Sequence, residues 1–122
     1  MNGKVDWNHA LEAVGGRGEL LLELIEIFFA EYPKLIAGIQ SSIQAEAFVE
    51  LRRFAHTLKG CLRYFGPTQA GELSFDLEIM GRDGHSERAE EVFEKLQTEM
   101  RMLLAELIAF VDSQSPQTEP RS

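Results

Sequence analysis

Residues 47–65 read AFVELRRFAHTLKGCLRYF, and the fold can be worked out from this stretch. Its apolar side chains recur at steps of three and four residues, at Phe48, Leu51, Ala55, Leu58, Leu62 and Phe65. Because an α-helix advances about 100° per residue, that spacing places them all on one face. We therefore predict a helix from about Ala47 to Phe65, with this row of side chains facing the core.

Helical spacing extends through most of the rest of the chain. The predicted segments are a short helix capped by Asp6 and a long one from Glu19 to Ile43, then one capped by Thr68 and one capped by Ser86 that runs to Val111. The first ends at Gly15-Gly16 and Gly18, and the third is broken at Gly81, Asp83 and Gly84. The apolar row continues across Pro33, so we expect a kink inside the long helix rather than two helices. No run alternates with the period of two that indicates a strand. We predict an all-α fold, an antiparallel up-down four-helix bundle with a short extra N-terminal helix anchored by Trp7.

The composition limits the class of protein. The chain has 122 residues, 20 acidic and 12 basic side chains and a formal net charge of −8. We assign residues 1–112 to one bundle domain and the polar stretch 113–122 to a disordered tail. The acidity disfavours nucleic acid and anionic membranes as partners, and the lone Cys61 excludes an internal disulfide and multi-cysteine zinc sites. With no apolar run of about 20 residues and no signal-peptide core, we expect a cytoplasmic protein.

One histidine lies among basic residues on the exposed flank of the predicted helix. His56 follows Ala55 and is therefore turned about 100° from the apolar row. The residues that share its face, three, four or seven positions away, are Arg52, Lys59, Gly60 and Arg63. No acidic residue occurs from Leu51 to Gly71. An exposed imidazole among cations, with bare backbone at Gly60, suits an anion held on or beside the ring, and nearby cations favour the neutral, nucleophilic imidazole.

A phosphoryl group is an anion that this arrangement can serve. Lys59 and the arginines can balance its charge. The chain contains neither a G-x-x-x-x-G-K-S/T loop nor a kinase glycine loop, so it would not draw the group from ATP. Two rival classes are a non-catalytic helical docking module that binds an acidic partner through the basic face, and a bundle enzyme or metal protein. The second rival is disfavoured because no inward-facing Glu/His set is visible.

The same stretch forms part of a longer pattern. The pattern is A-H-T-L-K-G at residues 55–60, followed by Gly66, Leu73, Leu77-Glu78 and Gly81-Arg82. It resembles the histidine-containing phosphotransfer (HPt) domain of two-component phosphorelays. The resemblance implies that His56 is phosphorylated, that Lys59 stabilises the phosphate and that Gly60 clears space for an incoming aspartyl phosphate. Arg52 and Arg63 would add auxiliary charge, and Arg63 is itself a departure from the residues usual in the family.

The resemblance also implies partners and a role. The chain would be a carrier and not an enzyme, accepting a phosphoryl group from a receiver-domain aspartate, or from a sensor histidine kinase, and passing it to another receiver. The Mg²⁺ that transfer requires would belong to the receiver, so we expect no cofactor and no metal on this chain. We expect a monomer, because the site of a carrier has to remain accessible.

Overall fold

The computed structural model describes residues 3–114. Its α-helices are α1 (Trp7–Ala13), α2 (Gly18–Ala45), α3 (Phe48–Leu62), α4 (Gln69–Asp83) and α5 (Ala89–Gln114), and a 3₁₀ turn at Arg63–Phe65 follows α3. Each of the long helices packs against the next along the chain, and α5 returns to α2 to close the bundle. Within the described residues there is no strand. The predicted all-α fold, a four-helix bundle with a short N-terminal helix, is confirmed.

The apolar row of α3 forms the centre of the core. Leu51, Ala55, Leu58 and Leu62 have no exposed surface, and Phe65 after the helix is also buried. Phe48, at the start of the row, is only half-buried. Burial of the row fixes the rotation of α3, and this rotation decides which of its residues reach solvent.

The long helix α2 continues through Pro33 without interruption. The prediction of one helix rather than two is confirmed, and the predicted kink at Pro33 stays a prediction. The helix ends at Ala45, and the next residue, Glu46, adopts a left-handed backbone conformation with φ 50°. The amide of Ala47 then donates to the carbonyl of Ser42 at 2.9 Å, so the chain reverses into α3 without a side-chain cap.

The predicted helix ends are partly right. The carboxylate of Asp6 accepts from the amide of His9, and the Thr68 hydroxyl accepts from the amide of Gly71, so both caps are confirmed. Ser86 does not act as the predicted cap, because α5 begins only at Ala89. A backbone turn takes its place, in which the amide of Ala89 donates to the carbonyl of Ser86 at 3.1 Å.

Three further boundaries differ from the prediction. The α-helix α3 ends at Leu62, and the chain tightens into the 3₁₀ turn before Gly66, whose φ of 95° ends the helical path. Of the residues predicted to break α4, Asp83 and Gly84 do mark its end, since α4 ends at Asp83 with Gly84 as its left-handed cap, whereas Gly81 lies inside the helix and does not break it. The helix α5 extends to Gln114, two residues beyond the predicted domain end at 112; the rest of the predicted tail, 115–122, lies outside the described residues.

The N-terminal segment covers one end of the bundle, next to the end of α3. The indole of Trp7 stacks on the ring of Phe110 in α5 with 4.9 Å between centroids, as its predicted anchoring role requires. The amide of Asp6 donates to the carbonyl of Phe65 at 2.9 Å, which ties the start of α1 to the 3₁₀ turn. No helix within the described range is both long and apolar enough to cross a bilayer.

Candidate functional site

His56 is exposed because its neighbours in α3 are buried. Ala55 immediately before it and Leu58 two positions after it both face the core. The imidazole therefore stands on the outer flank of α3, with 66% of its side-chain surface accessible. The sequence predicted this placement, since the buried row alone determines it.

A carboxylate from the neighbouring helix orients the imidazole. The Nδ1 atom of His56 lies 2.9 Å from Oε2 of Glu78 in α4, and the Glu78 side chain is mostly buried. Burial opposes ionisation of this carboxyl group, but the hydrogen bonds and charges of Lys59 and His56 outweigh it and lower the pKa of Glu78. Glu78 is therefore a carboxylate at neutral pH and can only accept a hydrogen bond.

This hydrogen bond decides which ring nitrogen can react. Because Glu78 accepts, Nδ1 of His56 carries the proton. In the neutral ring the lone pair then lies on Nε2, the usual consequence of a carboxylate partner at the other nitrogen. A neutral imidazole in this tautomer presents a nucleophile at Nε2 from an exposed side chain.

The same carboxylate also holds Lys59. The Nζ atom of Lys59 lies 2.8 Å from Oε1 of Glu78, so one carboxylate pairs with the lysine and the histidine through its two oxygens. The lysine ammonium also lies over the ring of Phe75, 4.7 Å from its centroid. Although Lys59 is next to the exposed Gly60, its side chain keeps only 19% of its surface accessible.

The predicted surroundings of His56, an exposed imidazole among cations, were incomplete. The prediction rested on the spacing within α3 and on the absence of acidic residues from 51 to 71. The close packing of α4 on α3 brings Glu78 into direct contact with the ring. A helical wheel of α3 cannot show a carboxylate that belongs to α4.

Gly60 leaves open space beside this group. A Cβ atom built on Gly60 would meet no atom within 4 Å, apart from the backbone of its own helix and its chain neighbours. Packing therefore does not require glycine at this position. Four residues after His56, Gly60 lies on the same face of α3 and leaves its backbone uncovered there.

The two predicted auxiliary arginines lie outside this contact group. Arg52 is exposed on α3, and Arg63 is exposed in the 3₁₀ turn rather than in α3 itself. Neither side chain forms an ion pair or a hydrogen bond with another part of residues 3–114. The backbone carbonyl of Arg63 does lie 3.0 Å from Nε2 of His9. The auxiliary-charge role of both arginines stays a prediction.

Sequence reasoning missed two members of the group, Glu78 and Phe75. The signal for Glu78 was present in Leu77-Glu78, which belongs to the pattern described above but had no role assigned to it. Phe75 lies three residues before Glu78 and so shares its face of α4. That spacing identifies Phe75 only after Glu78 has been placed against α3.

Comparison with known proteins agrees with this architecture. The family model described as Hpt domain matches residues 23–109. The crystal structure of histidine-containing phosphotransfer protein B (HptB) from Pseudomonas aeruginosa PAO1 has a similar fold, with a TM-score of 0.77. The two proteins share 19% sequence identity, and the match covers 93% of this chain and 96% of HptB. No curated protein sequence matches the chain significantly. The range matched by the family model contains the whole of α3 and α4.

Proposed function

This chain belongs to the Hpt family of phosphotransfer domains from two-component systems, and we propose that His56 is the residue on which it carries the phosphoryl group. The observation that supports this choice is the hydrogen bond from Nδ1 of His56 to Glu78 at 2.9 Å. It leaves Nε2 as the reactive nitrogen on an exposed side chain. His9 and His85 have no such hydrogen bond. His9 lies against a backbone carbonyl, and Nδ1 of His85, in a loop, is 3.7 Å from Oε2 of the exposed Glu87, which is too far for a hydrogen bond.

Transfer is a displacement at phosphorus. The lone pair of Nε2 on His56 attacks the phosphorus of a receiver's aspartyl phosphate, the N–P bond forms, and the P–O bond to the aspartate breaks. The aspartate leaves as a carboxylate, and the Nδ1 proton remains on the ring. The imidazole becomes cationic in this step, and the ionised Glu78 beside it stabilises the new positive charge. The reverse step passes the group to the aspartate of another receiver.

Lys59 and Gly60 serve the phosphoryl group and the approach of the receiver. The ammonium of Lys59 has three N–H donors; Glu78 engages one, and the others are available to phosphoryl oxygens. The open space at Gly60 lets the receiver bring its aspartyl phosphate close to α3. Arg52 and Arg63 contribute a longer-range positive potential from the exposed rim.

The partners follow from this chemistry. We expect receiver domains of response regulators, or a sensor histidine kinase, to exchange phosphate with His56 in the cytoplasm. The Mg²⁺ ion needed for transfer belongs to the receiver, and this chain acts as a monomeric carrier without its own ATP site. A docking module that binds an acidic partner through the basic face of α3 is the alternative, and the experiment below separates the two.

The test is phosphoryl transfer from receivers to the purified protein. A panel of receiver domains is charged with radiolabelled acetyl phosphate and Mg²⁺, freed of the reagent and mixed with the chain. We expect an acid-labile, alkali-stable label on the wild-type protein and none on His56→Gln. His85→Gln is the matched control and should label normally. Equal labelling of His56→Gln would exclude the proposed carrier, and receiver binding without any label would identify the docking module.

The role of Lys59 has its own matched pair. Lys59→Ala should slow transfer about tenfold or more, the loss expected for a hydrogen bond to a charged group. Lys95 pairs only with Glu91 on the exposed face of α5, so Lys95→Ala should transfer at the wild-type rate. Lys95→Ala should melt at the wild-type temperature. Lys59→Ala should melt somewhat lower, because the mostly buried Glu78 carboxylate loses its ammonium partner, so all rates are measured well below either transition. An unchanged rate for Lys59→Ala would contradict its assigned role.

A further inference from the structure

Phe75 is a large aromatic residue left partly in solvent next to the site. It lies on α4 with 45% of its surface exposed, and it does not belong to the buried core. The ammonium of Lys59 is 4.7 Å from the centroid of its ring. That distance is inside the limit of about 6 Å for attraction between a cation and the face of an aromatic ring.

The contact crosses from one helix to the other and involves the same ammonium that Glu78 holds. Lys59 belongs to α3, whereas Phe75 and Glu78 lie one turn apart on the same face of α4. The ammonium is thus held by a carboxylate oxygen at 2.8 Å and by the ring face. Together the two contacts explain why a lysine on the rim of the site is mostly covered.

An aromatic ring differs from a second carboxylate in the way it holds the cation. A second carboxylate would neutralise the ammonium and take another of its N–H donors. A ring face attracts the charge through its quadrupole and takes no conventional hydrogen bond. Phe75 therefore restricts the rotamers of Lys59 and leaves two of its N–H donors available to phosphoryl oxygens. The ring thus preorganises the ammonium without competing with the phosphoryl group for its hydrogen bonds.

We propose that Phe75 is a positioning residue for phosphoryl transfer, acting through Lys59. This inference rests on the proposed function. The ring keeps the ammonium beside Glu78 and His56, so that Lys59 is in place when the phosphoryl group arrives on Nε2. Phe75 acts through Lys59 and takes no direct part in the bond to phosphorus.

The first measurement tests the contact without any transfer. In proton NMR spectra of the unphosphorylated protein, the ring current of Phe75 should shift the ε-methylene protons of Lys59 upfield. The shift should disappear in Phe75→Leu and persist in Phe75→Tyr. An unshifted methylene in the wild-type protein would overturn the proposal, whatever happens to His56.

The second measurement tests the consequence for transfer. Phe75→Leu should slow transfer from a charged receiver about two- to fivefold, the equivalent of about 0.5–1 kcal/mol at 1.4 kcal/mol per tenfold change. Phe75→Tyr should restore the rate. Met102→Leu replaces a similarly exposed apolar residue on α5 and should have no effect. A wild-type rate in Phe75→Leu, with His56→Gln still inactive, would overturn the proposal and leave the carrier function intact.

A graded series separates ring electronics from shape. Fluorinated phenylalanines incorporated at position 75 keep the ring but withdraw electron density from its face, which weakens cation attraction stepwise. The transfer rate should fall with each added fluorine while the melting temperature stays constant. A flat series would show that Phe75 acts only by its bulk, and would overturn the proposal. Labelling of His56→Gln at the wild-type level would instead refute the function on which the proposal rests.

Discussion

Gly60 and Gly81 lie inside adjacent helices, and their surroundings differ completely. A Cβ atom on Gly60 would meet nothing within 4 Å. A Cβ atom on Gly81 would lie 2.6 Å from the backbone nitrogen of Arg52 and 2.8 Å from the carbonyl oxygen of Phe48. Gly81 therefore lets α4 approach the backbone of α3, whereas no other part of residues 3–114 packs against Gly60.

The difference separates what the fold requires from what a partner requires. Glycine within a helix is about 1 kcal/mol less favourable than alanine. At Gly81 the close contact of α3 with α4 offsets that cost, and the same contact brings Glu78 to His56. At Gly60 no contact within the described residues offsets it, and the proposed reason is the approach of a receiver.

The largest effect is expected from Gly81→Ala. The added methyl group overlaps backbone atoms of α3, which cannot move aside as a flexible side chain could, so the two helices have to separate. We expect the free energy of unfolding to fall by about 1–3 kcal/mol, as in other overpacked cores. Urea denaturation measures it. A Gly81→Ala protein as stable as the wild type would show that the packing of α4 on α3 does not require glycine at this position.

The next largest effect is expected from Gly60→Ala, which should slow phosphoryl transfer without lowering stability. Stability should stay constant or rise by up to about 1 kcal/mol, because alanine is the better helix former and the space is open. Transfer from a charged receiver should slow about tenfold, since the methyl group stands where the receiver approaches His56. Urea denaturation and the transfer assay on one preparation test both halves. Unchanged transfer would show that Gly60 has no role in docking.

A smaller effect, dependent on pH, is expected from Glu78→Gln. Because the pKa of Glu78 is lowered in the folded protein, its carboxylate contributes stability above the ordinary glutamate pKa of about 4.3. That contribution is lost as the pH falls through the lowered folded value. We expect the wild type to exceed Glu78→Gln by about 1 kcal/mol at neutral pH, with the difference vanishing in strong acid.

Urea midpoints across this pH range test the linkage. Glu12→Gln provides the matched control, because Glu12 is exposed on α1 and its side chain forms no ion pair within residues 3–114. The urea midpoint of Glu12→Gln should equal that of the wild type at every pH. A wild-type advantage over Glu78→Gln that stays constant down to strong acid would contradict the assignment of the charge.

The smallest effects are expected at the rim. Arg52→Ala and Arg63→Ala remove exposed guanidinium groups that have no ion-pair partner in the described part of the chain. Each should slow transfer less than about threefold and change stability by less than about 0.5 kcal/mol. Raising the salt concentration should reduce the effect on transfer further. A tenfold loss in either variant would indicate direct contact with the phosphoryl group.

The parts of the fold that depend on one helix could be predicted from the sequence. The apolar row of α3 predicts its buried face and the exposure of His56, and the side chains of Asp6 and Thr68 predict two helix starts. Ser86 misled the same reasoning, because a backbone turn replaced the side-chain cap at the start of α5. Local signals thus predict helices well and their ends less well.

The parts that depend on contact between two helices could not be predicted in this way. Neither the pairing of Glu78 with His56 and Lys59 nor the position of Phe75 follows from spacing within α3. Gly81 was interpreted as a helix breaker, because a glycine in the sequence can mark either the end of a helix or a site where another helix packs closely. The resemblance to a family pattern included Glu78 and Gly81 without explaining them, and it did not include Phe75. The physical reasons for all three residues appear only when α4 lies on α3.

The most direct test of the account is to identify the nitrogen of His56 that carries phosphate. The protein is labelled at its histidine nitrogens, phosphorylated by a charged receiver and examined by heteronuclear NMR in mild alkali. The hydrogen bond from Nδ1 to Glu78 predicts coupling of phosphorus to Nε2 of His56, with the Nδ1 proton retained. Coupling to Nδ1, or phosphate on His9 or His85, would contradict the account.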